Sequence, residues 1–290
     1  MLVHLKEILA KAQKYNYALG AFNTFNLETT LGIIEAAQAC RAPAIIQVTE
    51  KTILQYTGLE LISKLIETIA NDKEIKTPVA LHLDHCKNFQ LIIDCIKAGF
   101  SSVMIDASDL PFGENVRLTK KVVDYAHRRK VLVQGEIGRV VRKKEEIEKL
   151  KILPQKFLTD PVEAEAFVRE TGVDTVAVAI GNVHGAYKIK YGAPKLFLDH
   201  LDLIRQRVKI PMVLHGASGV TPMEIKKAIE LGIRIINIDT EIRLAFIESL
   251  REGLKNKDEY DPRKILIPAI ERIRQIVQEK IKIFGSFGKR

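Results

Sequence analysis

The sequence predicts an α/β chain, a single (β/α)8 TIM barrel over residues 1–290 with a C-terminal helical extension, on three observations. Eight short β-branched runs alternate with amphipathic helical patterns, and repeated βα units imply a parallel sheet that eight of them close. The runs are almost continuously apolar, as strands buried on both faces are. The length, 290 residues, suits one such barrel, which commonly takes about 250.

The first run covers residues 19–22, and a helical pattern over 27–39 follows with Leu31, Ile34 and Ala37 on one face. The second run is 44–48 and the third 79–83, followed by a pattern over 91–98 carrying Ile92, Ile96 and Ala98. The fourth, 102–105, precedes a pattern over 115–128 with Val116, Val123 and Ala126. The fifth run is 131–135. A Lys/Glu-rich insertion at 139–157 then reads as a loop or short helix. Asp160 as N-cap and Pro161 at the first helical position open a helix over 161–170. The sixth run is 175–179 and the seventh 212–214, after which Thr221-Pro222 opens a helix in the same way. The eighth, 235–238, also leads into a helix. From Asp258 the tail carries a helical pattern through Ile265, Ile270, Ile273 and Ile276. It is expected to close the barrel, meet a partner subunit, or do both. No solenoid repeat or linker divides the chain.

Composition narrows the function classes. No apolar stretch approaches the roughly 20 residues that span a bilayer, and the start, Met1-Leu-Val-His-Leu-Lys6, lacks the order of a signal peptide. Cys40, Cys86 and Cys95 form no Cys-x-x-Cys pair, which fits a reducing cytoplasm better than a disulfide framework. The net charge is +9, with a local cluster at 139–144. A solvated basic surface explains it most simply, steering of an anionic substrate comes next, and nucleic-acid binding is disfavoured because no such motif accompanies the charge.

The chemistry gathers at predicted strand ends. His85, His184 and His215 each follow an apolar run, and Glu136 ends another. Ends of successive barrel strands converge, and three imidazoles there suit a borderline-soft divalent cation, zinc first. Asp84 precedes His85 and can move protons beside such a site. His82 reads as a hydrogen-bonded barrel-interior residue, while His4, His127 and His200 read as surface residues. His215-Gly-Ala-Ser-Gly219 follows the seventh run and Ile236-Asn-Ile-Asp-Thr-Glu241 ends the eighth, at the place where barrels bind phosphate with backbone N–H groups and a helix N-terminus. Ser218 and Thr240 add hydroxyls.

These motifs together make the chain resemble the class II, metal-dependent fructose-bisphosphate aldolases, in the subgroup shared with tagatose-bisphosphate aldolases. The resemblance runs from Gly20-Ala-Phe-Asn23 to Phe284-Gly-Ser286. It rests on Leu83-Asp-His85, Val103-Met-Ile-Asp106, Gly135-Glu-Ile-Gly138, Thr159-Asp-Pro161, Ala179-Ile-Gly-Asn-Val-His-Gly185, Leu214-His-Gly-Ala-Ser-Gly219, Asn237-Ile-Asp-Thr240 and Tyr260-Asp-Pro-Arg263. It implies that His85, His184 and His215 hold a catalytic zinc. Asp106 and Glu136 then sit around the metal, with a second divalent or a monovalent cation as a further expectation. Asp84 is the implied proton donor. Gly185, Lys188, Gly216, Ser218 and Thr240 are the implied pocket for the dihydroxyacetone phosphate end, and Asn237 and Asp239 meet the carbon chain. Arg263 is implied to hold the far phosphate from a neighbouring subunit of a homodimer or homotetramer, and Asn23 and Thr49 to line the mouth. The implied reaction is reversible, zinc-dependent cleavage of fructose 1,6-bisphosphate into two triose phosphates, with zinc as Lewis acid.

The chain also departs from the family pattern. Where similar proteins continue with two glycines and an acidic stretch after Arg139, this chain reads Val140-Val-Arg-Lys-Lys-Glu-Glu146, and Glu145, or its neighbour Glu146, is the candidate catalytic base. Cys86 replaces a usual glycine and reads as a small apolar filler. Asp239 favours the fructose over the tagatose epimer, because tagatose-cleaving relatives tend to carry alanine there. The alternatives are a tagatose 1,6-bisphosphate aldolase and a non-catalytic sugar-phosphate sensor or RNA-binding relative, the last motivated by the altered loop and the +9 charge.

Overall fold

The apolar runs become eight parallel strands that pair in chain order and close on themselves, β8 against β1. The computed structural model describes residues 1–141, 146, 149, 157–185 and 195–290. The strands are β1 (Leu19–Asn23), β2 (Ala44–Thr49), β3 (Val79–Cys86), β4 (Ser102–Ile105), β5 (Leu132–Ile137), β6 (Thr175–Val178), β7 (Met212–Leu214) and β8 (Ile233–Ile238). The helices among the described residues are α1 (Leu5–Lys14), α2 (Leu27–Ala39), α3 (Glu50–Thr52), α4 (Leu59–Ala70), α5 (Phe89–Lys97), α6 (Phe112–His127), α7 (Pro161–Thr171), α8 (Leu198–Arg207), α9 (Pro222–Glu230), α10 (Thr240–Gly253) and α11 (Pro262–Ile283). A single π-helical turn, Ile53–Thr57, follows α3.

Two cores follow from the alternation of side chains along each strand. Inward-facing Leu19, Ala21, Ile45, Ala80, Ala177, Val213 and Ile235 fill the lower barrel, and Leu5, Ile8, Leu9 and Ala12 of α1 cap it from below. Outward-facing residues such as Phe22, Ile46, Leu83, Val103 and Ile236 pack beneath the helices. Each such aliphatic side chain contributes roughly 1.5–3 kcal/mol on burial. The upper barrel is instead lined by polar residues, among them Asn23, Gln47, His82, Gln134 and Asn237, all buried. The end of the barrel opposite α1 is therefore the one equipped for chemistry.

Local signals place the helices as expected. Asp160 accepts from the Val162 and Glu163 amides, and Thr221 forms a capping box with Glu224. Several expectations need correction. Helix α1 precedes the first predicted run, and α3, α4 and α8 are helices between runs for which the pattern gives no bounds. Most strands run one to three residues beyond their apolar cores, because the polar positions at their ends still pair. On α2 Ile34 and Ala37 are buried as expected but Leu31 is only half-buried, and the buried face is broader than one stripe, taking in Ile33 and Ala36, with α11 packed against the helix. Ala98 is an exposed C-cap. The buried stripe of α11 is Ala269, Ile273, Val277 and Ile281, an i,i+4 row in which only Ile273 matches expectation. The tail therefore packs outside the barrel on α2 and α10 and does not close it. Among the described residues no helix is long and apolar enough to cross a membrane.

Candidate functional site

Adjacent strand residues normally face opposite ways, so Asp84 and His85 can share one site only if the strand breaks its alternation. It does. The β3–β4 register shifts between Leu83 and Cys86, and His85 adopts a left-handed φ of +47°. A non-glycine residue holds that conformation only where its surroundings impose it. Both side chains then reach the barrel mouth. His215 follows β7 directly. His184 does not end a strand: it lies six residues past β6, in a segment whose Val183 bridges Val141, and the His184 amide donates to the Val141 carbonyl at 2.9 Å. Asn182 ties that segment to the barrel, donating to the His215 carbonyl at 3.0 Å and accepting from the Ile180 amide at 2.7 Å.

The three imidazoles converge. Ring centroids are 4.6 Å apart for His85 and His215, 5.2 Å for His85 and His184, and 5.9 Å for His184 and His215. One nitrogen from each lies within 4.8 Å of the others, and His85, Asp106 and Glu136 form an overlapping group on the same criterion. Such a set of imidazole nitrogens fits a divalent cation of zinc type. Asp106 Oδ2 accepts from His85 Nδ1 at 2.9 Å while its Oδ1 accepts from the Ser108 hydroxyl at 2.8 Å. Asp106 thus orients the ring from behind. Glu136 Oε2 stands 3.7 Å from His215 Nδ1. Gln134 donates its amide to His215 Nε2 at 2.8 Å.

Charge is distributed unevenly in this metal-free arrangement. Burial alone would lower His85, but Asp84, the hydrogen-bonded Asp106 and Glu136 outweigh it and raise it to about 9. His215 is pushed down to about 3 by burial and by the adjacent His85. Burial pushes the Asp84 carboxyl up, yet the facing histidines and the Asn23 donor prevail and hold it below its usual value. Asp84 is gripped on both oxygens, by Asn23 Nδ2 at 2.9 Å and Asn237 Nδ2 at 3.3 Å. Gln47 in turn donates to Asn23 Oδ1 at 2.6 Å.

A pocket of about 300 Å3 opens above these groups. Asn23, Thr49, Asp84, His85, His184, Gly185, Gly216, Ser218, Asn237, Asp239 and Thr240 all line it. Gly216 is required there, because at φ +61° a Cβ would stand 2.4 Å from the Val183 carbonyl oxygen. Thr240 begins α10, whose N-terminus faces the pocket side and favours an anion. Glu145 and Lys188 lie outside the described residues. Arg263 is not brought to this pocket: it sits in the first turn of α11, 81% exposed, paired with Asp261 at 2.8 Å.

Other histidines sort as follows. His82 is buried with Nδ1 2.9 Å from the Ser102 hydroxyl, as expected. His4 and His200 are half-buried rather than merely surface: His4 caps α1 and meets the Lys130 carbonyl, and His200 donates to the Thr159 carbonyl at 2.7 Å. Sequence reasoning missed Gln47, Gln134 and Arg243. The first two interrupt buried strands at inward positions, and a polar residue there is itself a signal. Arg243 lines the pocket four residues after Asp239, a spacing that puts both on one helix face.

The family model described as "Fructose-bisphosphate aldolase class-II" matches residues 3–289. A fructose-bisphosphate aldolase of Staphylococcus epidermidis is 43% identical over 99% of each chain. One of Geobacillus stearothermophilus is 42% identical over 99% of this chain and 98% of its own. The crystal structure of the YdjI aldolase from Escherichia coli K12 superposes with a TM-score of 0.85 at 34% identity, covering 100% of this chain and 99% of that one.

Proposed function

From the premise that the chain belongs to the class-II fructose-bisphosphate aldolase family, whose members are metal-dependent lyases, we propose the site at which it works and the metal it uses. It cleaves fructose 1,6-bisphosphate reversibly to dihydroxyacetone phosphate and glyceraldehyde 3-phosphate. We assign the reaction to the pocket above His85, His184 and His215, and the metal to zinc. The observation that carries this reading is the convergence of three imidazoles beside a buried, doubly held Asp84 at the base of one pocket.

Zinc held by the three histidines would supply a Lewis acid for the substrate's carbonyl. The chain's own residues do the rest. Asp84, ionised at neutral pH, accepts the proton of the C4 hydroxyl as the C3–C4 bond breaks, and returns it to the alkoxide in the synthetic direction. Asn23 and Asn237 keep that carboxylate aimed, so the proton moves along a fixed path. Gly185, Gly216, Ser218 and the start of α10 offer donors to one phosphate. The proton at C3 requires a second group, and we assign it to Glu145. Asp106 and Glu136 keep the histidine rings in place.

We propose further that the enzyme is a cytoplasmic homo-oligomer. Three buried free thiols suit a reducing compartment. The exposed Tyr260, Arg263 and Ile267 at the start of α11 suit contact with a second copy, which would bring Arg263 to the far phosphate.

The reading is tested by fructose 1,6-bisphosphate cleavage coupled to triose-phosphate detection, before EDTA, after it, and after adding zinc. Activity lost to the chelator and restored by zinc is the expected result. A zinc-loaded protein without turnover would overturn the assignment.

A further inference from the structure

The loop after β7 and the start of α10 bring Ser218 and Thr240 to the pocket, and the two segments are joined behind its wall. The amide of Gly219, next to Ser218, donates to Glu241 Oε1 at 2.7 Å. Glu241 follows Thr240 in the first turn of α10. Its other oxygen, Oε2, meets Lys280 Nζ at 2.8 Å. Lys280 belongs to the last turn of α11, the helix packed outside the barrel. The pair is largely buried, with Lys280 13% and Glu241 18% exposed, whereas Lys120 and Asp124 on α6 form an ordinary half-exposed pair. A half-exposed pair contributes little, but removing one partner of a buried pair leaves an uncompensated charge. The loop itself is poorly restrained by its sequence, because Gly216 and Gly219 supply backbone at φ +61° and +79°.

We propose that Glu241, held by Lys280, is a positioning residue that locks the loop 215–219 to the start of α10 and so fixes the cradle for one substrate phosphate. The proposal rests on the aldolase reading above. Among the described residues that line the pocket, neither Glu241 nor Lys280 appears, so each acts through the segments it joins. Donors already in place lose less freedom when the phosphate arrives, and this favours binding. The Glu241 carboxylate would by itself oppose that phosphate, since it stands one residue from Thr240 at the same helix end. Lys280 cancels the charge through Oε2 and leaves Oε1 to the Gly219 amide.

The experiment uses zinc-loaded wild type, Glu241→Ala, Glu241→Gln, Lys280→Met, Lys280→Arg and the double variant Glu241→Gln/Lys280→Met. It reads KM and kcat for fructose 1,6-bisphosphate, and amide hydrogen exchange over residues 215–219 without substrate. Glu241→Ala removes the acceptor, so it should raise KM about tenfold, what one hydrogen bond to a charged group supports. Its kcat should change little, because the lost grip serves ground state and transition state alike. Exchange over the loop should quicken in the same variant. Lys280→Met should raise KM comparably by baring the carboxylate. Glu241→Gln, Lys280→Arg and the double variant should stay near wild type, since each keeps an acceptor for Gly219 without a bare charge. Should Lys280→Met not fold, Glu241→Ala with Glu241→Gln as its rescue decides alone. Unchanged KM and exchange in Glu241→Ala, a fall in kcat or zinc content at constant KM, or a double variant as impaired as Lys280→Met would overturn the proposal. Quickened exchange in Glu241→Ala, with a wild type that turns over no fructose 1,6-bisphosphate, would keep the lock but remove the aldolase reading, and the phosphate role with it.

Discussion

His85 is held in a left-handed conformation, φ +47°, that costs an ordinary residue roughly 1–2 kcal/mol. The return is that Asp84 and His85, adjacent in sequence, face the same pocket. Support from behind is expected to matter as much as the rings themselves. Gln134 donates to His215 Nε2 at 2.8 Å, and replacing it with leucine is expected to weaken metal binding roughly 10–100-fold. Competition with a chelator of known affinity measures this, and an unchanged constant would show that His215 needs no such brace. The raised His85 makes metal binding pH-dependent. In the metal-free protein it keeps its proton up to about 9, and that proton must leave before the ring nitrogen can bind a metal. Affinity should therefore rise with pH up to about 9 and level off above it. Uptake at neutral pH should release about one proton, which calorimetry in buffers of different ionisation enthalpy reads directly. Proton-neutral uptake would contradict the charge assigned to His85. The sign for metal-free stability is the reverse. A histidine raised from 6.5 to about 9 stabilises the fold fully below pH 6.5, and that contribution fades as pH rises through about 9.

At the scale of elements, the sequence was legible wherever one local rule decided the outcome. Period, apolar continuity and caps identified all eight strands and the starts of α7 and α9, because strand burial and N-capping act within a few residues. They misjudged faces shared by three layers. The α2 and α11 stripes depend on which helix lies on which, and no spacing in one segment encodes its neighbour. Gly32 marks that contact: a Cβ there would lie 2.8 Å from Ile273 Cγ2 and 3.0 Å from the Ile270 carbonyl. Alanine usually stabilises a helix by about 1 kcal/mol over glycine, but overpacking costs typically 1–3 kcal/mol. Gly32→Ala is therefore expected to destabilise on balance. Gly113, exposed in α6 with open space around it, should gain up to about 1 kcal/mol from the same change. Opposite signs in chemical denaturation would support close α2–α11 packing, and a stabilised Gly32→Ala would argue against it. The site was legible where residues end strands, as with His215. His184 was found by its motif but placed wrongly, since its position depends on a bridge to Val141 rather than on β6. The pairing of Arg243 with Asp239 went unread because an i,i+4 ion pair usually lies on a solvated helix face, and only the fold shows that both residues line the pocket.

At the scale of the whole molecule, Arg263 stands away from the pocket of its own chain. That residue lies in the first turn of α11 with its side chain 81% exposed, next to a Tyr260 that is 93% exposed. Large aromatic surface beside an arginine is the composition that interface cores favour. If a second copy supplies Arg263, each working site combines His184 of one chain with Arg263 of the other. A symmetric dimer makes the contact reciprocal, so two defective variants should complement each other. His184→Ala loses the metal site and Arg263→Ala loses the far phosphate grip, so each alone should be weakly active at limiting substrate. Mixed and reassembled at equal amounts, half of the dimers are hybrids, and one of the two sites in each hybrid carries both native residues. Activity at limiting substrate should then recover to about a quarter of wild type, as random pairing across a two-fold axis dictates. Recovery that needs prior dissociation of the parent dimers would locate the shared site between subunits. No recovery after verified subunit exchange would mean that Arg263 serves its own chain or none, and the exposed start of α11 would need another explanation.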